Sequence, residues 1–120
     1  MKGSYMLFLR CKKNCKISVG KLGKLKFKKG IYIYVGSGMN NLEKRVKRHF
    51  LKKKKIRWHI DHITTNRKFE VEFALLILSK KRLECYLSKL LSQKLDYVEG
   101  FGSTDCKCKS HLYILKWRYG

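Results

Sequence analysis

The sequence predicts one α+β domain over residues 1–120, a small antiparallel β-sheet flanked by helices. Two periodicities alternate along it. β-branched and aromatic residues recur at every second position in some segments, and apolar residues at every third or fourth in others. The chain contains no proline and no Gly/Ser-rich linker, and 120 residues suit a single core.

Residues 3–10 read as the first strand, with Tyr5, Leu7 and Leu9 on one face and Ser4, Met6 and Phe8 on the other. Cys11 and Cys15 bracket a polar turn and read as incidental, since no second pair sits nearby. Residues 17–19 form a short second strand, followed by a turn at 20–23. Leu25 and Phe27 then alternate with Lys24, Lys26 and Lys28. That is a half-exposed strand whose lysines keep an edge unsociable and could also follow phosphates. Residues 30–37 make a further strand, bracketed by Gly30 and Gly36, with Tyr32 and Tyr34 on one face and Ile31, Ile33 and Val35 on the other. The next helix carries Leu42, Val46 and Phe50 as its core stripe. Arg45 and His49 form a neighbouring row, four residues apart. Lys52, Lys53, Lys54 and Lys55 close that helix, where cations favour the dipole.

Residues 56–63 favour a short helix on which His59 and His62 share a side and Asp61 points elsewhere. This spacing supports structural or nucleic-acid-contacting histidines over a metal site. Residues 69–79 read as a buried strand, with Phe69, Val71, Phe73, Leu75 and Ile77 alternating and Glu70 and Glu72 outward. A helix over about 82–95 puts Leu83, Leu87, Leu90 and Leu91 on its core face. Glu84 in its first turn is either a charge partner of the helix terminus or a metal ligand. Residues 100–111 form a glycine-bearing loop, and 112–119 a final strand. Cys106, Cys108 and His111 stand close enough in that loop to bind zinc, with Cys85 as a fourth ligand. Their spacing is tighter than in most structural sites and weighs toward thiols acting as small buried hydrophobes.

The charge is the loudest signal: 30 Lys plus Arg against 8 Asp plus Glu, a net +22. So basic a domain repels itself unless a polyanion screens it, and nucleic acid is the natural partner. An anionic membrane surface competes less well, because no long basic helix with an aromatic face is evident. The most apolar run is too short to span a bilayer, and the N-terminal apolar stretch is too brief for a secretory signal. A cytoplasmic product is expected, and five cysteines in that setting argue against structural disulfides.

Tyr34-Val35-Gly36, then Asn41-Leu42-x-x-Arg45-x-x-x-His49, then the helical Glu84, resembles the GIY-YIG endonuclease superfamily. Trp58-His59-Ile60-Asp61, Glu84-Cys85 and the segment 100–112 resemble its small single-domain, Uri-type branch, common in archaea. The resemblance spans about residues 3–114. The literal triplet Gly30-Ile31-Tyr32 is the poorer counterpart of the first motif, since Tyr32 shares a strand with Tyr34 and the family's two tyrosines lie on neighbouring strands. Gly3-Ser4-Tyr5 is preferred, with 11–29 as an insertion.

The resemblance implies metal-dependent hydrolysis of phosphodiesters in nucleic acid, DNA favoured over RNA. Tyr5, Tyr34, Arg45 and His49 would be catalytic, and Glu84 would hold one Mg2+ or Mn2+. Arg45 would meet the developing negative charge, a tyrosine would activate water with neighbouring cations favouring its phenolate, and His49 would serve as base, relay or phosphate ligand. Lys26, Lys28, Ser37, Lys52, Lys53, Lys54 and Arg57 would hold the phosphate backbone without reading sequence. The alternative is a basic nucleic-acid-binding module without cleavage, on which Trp58, Tyr86 or Trp117 would stack bases.

Overall fold

The structure is a computed structural model that describes residues 1–115. Its elements, in order, are β1 (Gly3–Cys11), β2 (Cys15–Ser18), β3 (Lys24–Phe27), β4 (Gly30–Gly38), α1 (Leu42–His49), α2 (His59–Thr64), β5 (Phe69–Leu78), α3 (Glu84–Ser92), β6 (Asp96–Tyr97) and β7 (Leu112–Leu115). Five strands form one antiparallel sheet in the order β5-β1-β4-β7-β6, while β2 and β3 pair as a separate ribbon. The α+β expectation is met: one antiparallel sheet, a second small one, and helices against it.

The alternation of β1 and β4 decides both faces of the sheet. Tyr5, Leu7, Leu9, Tyr32 and Tyr34 enter one core, completed by Leu42 and Val46 of α1 and by Ile60 and Ile63 of α2. Ile33 and Val35 enter the other, with Tyr113 of β7 and with Leu87 and Leu91 of α3. The β2–β3 ribbon folds over the far end of the first face. There Phe27, Tyr32 and Phe69 meet edge to face at centroid distances of 5.5 to 5.9 Å.

Four expectations need correction. The segment 69–79 is not a buried strand: β5 is the sheet edge, Phe73 keeps 50% and Leu78 62% of its surface, and Phe69 alone is fully enclosed. A register shift opposite Phe8 and Leu9 also breaks the alternation that the sequence suggested. On α1 the buried stripe is Leu42, Val46 and His49, while Phe50 is exposed, because the helix ends at His49 and turns away. Lys52–Lys55 therefore lie beyond the helix rather than in it. On α3, Leu90 is exposed although its neighbours Leu87 and Leu91 are covered. The two-residue β6 was not anticipated, and of the final strand residues 112–115 are seen, 116–119 lying outside the described residues.

Candidate functional site

The site begins with strand register. β1 and β4 place Tyr5 opposite Gly36, and the phenol of Tyr5 fills the space where a Cβ on Gly36 would overlap its ring. From there the Tyr5 hydroxyl reaches α1, 2.5 Å from Nε2 of His49. Tyr34 lies on the same face of β4 as Gly36. Its ring centroid is 6.5 Å from that of Tyr5 and 5.9 Å from that of His49. Asn41 fixes the start of α1 by accepting the Lys44 amide at 3.0 Å, which sets the rotation of the helix. That rotation turns His49 inward and brings Arg45, one turn earlier, beside the phenols. The Arg45 guanidinium also lies 4.5 Å from the Trp58 ring centroid, and Arg48 lies 4.7 Å from it. Nε of Arg45 and Nδ1 of His49 are buried with no hydrogen-bond partner. Tyr32, by contrast, donates to the Lys28 carbonyl at 2.9 Å within the Phe27–Phe69 cluster and takes no part in the site.

Burial dominates the titration of these groups. It holds the Tyr5 hydroxyl well above the usual phenol range, against the charge and hydrogen bonding of Arg45, which pull down. Tyr34 is pushed up in the same way, again by burial first, with Tyr5 and Glu84 adding to it. His49 is lowered to about 3, by burial first and then by Lys54. The resting arrangement is therefore a neutral phenol against a neutral imidazole. The expectation that neighbouring cations would favour a phenolate fails, because desolvation outweighs the one guanidinium in reach.

Glu84 opens α3 on the other face of the sheet. Ser37, on the same face of β4 as Val35, offers its hydroxyl to Oε1 of Glu84 at 3.4 Å, and Oε2 stands 3.9 Å from Nε2 of His111. The charge of this carboxylate adds, after burial, to the rise of both phenols. It is 21% exposed and loosely bonded, so its oxygens retain lone pairs. A single accessible carboxylate of this kind suits Mg2+ or Mn2+, which keep most of their waters.

Beside Arg45 and Trp58 opens a groove of about 970 Å³, walled by eight lysines and arginines and no carboxylate. The sequence-chosen cations divide around it. Lys53 is exposed beyond α1, and Arg57 lines the groove. Lys26 and Lys28 are exposed at the β2–β3 ribbon. Lys52 is bonded to the carbonyls of Asn66 and Phe69. Lys54, its side chain only 4% exposed, is bonded to the Arg48 carbonyl, which leaves little of it for a phosphate. Ser37 is buried against Glu84. Tyr86 is exposed on α3, on the sheet face away from Tyr5, and Trp117 lies outside the described residues.

Sequence reasoning missed the role of Asp61. Its enclosed carboxylate accepts Arg48 at 2.9 and 3.0 Å and the amides of Arg57 and Trp58 at 2.8 and 3.1 Å. This carboxylate holds Arg48 against Trp58, and so supports the wall on which Arg45 stacks. An acidic residue three positions after Trp58, where it can cap the helix start, was the available signal.

A second cluster lies behind Glu84. One ligand atom each from Cys85, Cys106, Cys108 and His111 falls within 4.8 Å of the others, and this group could hold a metal ion. Nε2 of His111 is 3.3 Å from Sγ of Cys106, while its Nδ1 is 2.6 Å from the Ser88 hydroxyl. The Tyr113 hydroxyl in turn lies 2.7 Å from both the Ser88 and the Ser110 carbonyl, which share its one proton. The reading of these thiols as small buried hydrophobes is corrected, since Cys85 is exposed and Cys106 and Cys108 are half-buried. Cys11 and Cys15 lie 4.0 Å apart with no further ligand beside them among the described residues.

Fold and site thus define a small, strongly basic α+β domain with a buried Tyr–His pair, a cationic groove and a Cys/His cluster. Over residues 4–119 the chain matches the family described as "Domain of unknown function DUF123", and it belongs to that family. No curated protein and no solved structure matches it. Among the described residues, no helix is long and apolar enough to cross a membrane.

Proposed function

We propose that this chain is a metal-dependent endonuclease of the GIY-YIG type, hydrolysing phosphodiester bonds in DNA. The observation that carries the reading is the meeting of Tyr5, Tyr34, Arg45 and His49 at one end of the sheet, beside a groove whose charged lining residues are all cations. Glu84 would hold one Mg2+ or Mn2+, whose chemistry when bound is to polarise a phosphate oxygen and stabilise the leaving oxygen. Arg45 offers a permanent positive fork to the charge that gathers on the phosphoryl oxygens. Tyr34 keeps 9% of its surface, lines an adjoining cavity and orients water there. His49, neutral and 2.5 Å from the Tyr5 hydroxyl, holds that phenol in place beside Arg45. The Cys/His cluster would bind a structural zinc: three thiolates and an imidazole suit its tetrahedral preference, and Ser88 fixes the His111 ring from behind.

A second reading, a basic module that binds without cutting, draws on the near-complete burial of Tyr5 and His49 and on the wide gap between their proton affinities. One assay separates the two. Labelled single-stranded, branched and duplex DNA is incubated with Mg2+ or Mn2+ and with wild type, Glu84→Ala or Arg45→Ala protein. Metal-dependent cutting lost in both variants supports the endonuclease; tight, salt-sensitive binding with no cutting on any substrate leaves the binding module.

A further inference from the structure

A second cavity, of about 340 Å³, shares Arg57 and Trp58 with the cationic groove, and the rest of its lining differs in chemistry. Its walls are the rings of Tyr34, Trp58, His59 and His62, closed by Thr104 and Asp105 of the loop before β7. The far wall is fixed: the Gly102 amide donates to Nδ1 of His59 at 2.9 Å, and Phe101 packs edge to face on the same imidazole at 5.6 Å. With Nδ1 accepting, the remaining His59 proton sits on Nε2 as a donor. Burial and the neighbouring His62 lower the pKa of His59, which keeps the ring neutral.

We infer that this cavity receives one unpaired nucleobase of the strand whose phosphates occupy the cationic groove. Flat aromatic walls suit a flat heterocycle. The Asp105 carboxylate would repel a phosphate but would accept N–H groups of a base, whereas the charged residues of the groove are all cations. Arg57 and Trp58 line both spaces, so a strand leaving the groove passes directly over the cavity mouth. Tyr34 joins the cavity to the Tyr5–His49 pair, which puts the captured base next to the phosphate to be cut. A base held there has left the stack, so the preferred substrate is single-stranded or locally unpaired DNA. The inference rests on the nucleic-acid reading above and narrows its substrate class.

The test uses the full chain with no added divalent metal, titrated against a short single-stranded DNA carrying 2-aminopurine at each position in turn. We expect a fluorescence change at one position, and roughly 10-fold weaker binding when the base there is removed, in line with a single stacked base. Thr104→Tyr, a substitution on an exposed loop position, fills the cavity and should abolish both effects while its thermal melt matches wild type. The fully paired duplex should bind without the position-specific change. If the strand binds but no position responds and removing bases costs nothing, the cavity assignment is overturned and the groove stands. If Thr104→Tyr behaves as wild type, the cavity assignment is likewise overturned. If no DNA binds at all, this inference and the proposed function fall together.

Discussion

The hydroxyl of Tyr5 lies 2.5 Å from Nε2 of His49, a buried contact between residues 44 apart in the chain. It ties the first strand of the sheet to the last turn of α1. Tyr5→Phe keeps the ring that fills the space over Gly36 but strips the buried imidazole nitrogen of its partner. Urea unfolding should show a loss of about 1–3 kcal/mol, the usual cost of an unsatisfied buried polar group. In the proposed reaction the same variant should bind DNA as wild type does but cut it at least about 100-fold more slowly, as expected for loss of proton transfer. Unchanged cutting by Tyr5→Phe would remove this pair from the mechanism.

His49 should also make the fold acid-sensitive. Its pKa is about 3 in the folded chain, against an ordinary value of 6.5, chiefly because it is buried. Between these values the unfolded chain takes up a proton that the folded chain refuses. Stability from this group is complete above pH 6.5 and is lost progressively as pH falls toward 3, by an amount on the order of several kcal/mol. Denaturant midpoints measured from pH 7 to pH 4 should fall steeply in wild type and much less in His49→Gln. Asp61 acts in a lower window: burial pushes its carboxyl up, but Arg48 and the amides of Arg57 and Trp58 prevail and lower it. Its contribution is therefore lost only below the ordinary 3.8.

Asp61→Ala should be among the most damaging single changes. It leaves the Arg48 guanidinium without its bidentate partner and two amides without an acceptor. Breaking a buried ion pair from one side costs about 3–5 kcal/mol. Because Arg48 and Arg45 share the Trp58 ring, the quenching of Trp58 fluorescence should change as well. A variant with wild-type stability would mean that Arg48 finds a substitute partner.

The Cys/His cluster makes a stoichiometric prediction. Purified protein should carry close to one equivalent of zinc, and Cys108→Ser should lose most of it and melt at lower temperature, since metal binding is coupled to the folded state. Cys11→Ser, which touches only the Cys15 neighbourhood, should leave the metal content unchanged. Less than about half an equivalent in wild type would count against the site.

Periodicity and residue type were enough to read the class of fold, the strands over 3–10 and 30–37, and the helix that carries Arg45 and His49. These depend on which face of an element a side chain takes, and that is a local property. Three features lay beyond such reading. Which strand forms the sheet edge depends on the order of pairing, so the apolar residues of β5 looked buried and are half open. Cys85, Cys106, Cys108 and His111 could be named as candidate ligands from the sequence, but whether they meet depends on α3 docking beside the loop before β7, a contact between segments that share no periodicity. The protonation of Tyr5, Tyr34 and His49 depends on how completely α1 seals the end of the sheet. Composition suggests a cation-rich surround, but desolvation is set by packing, and here it outweighs the charges.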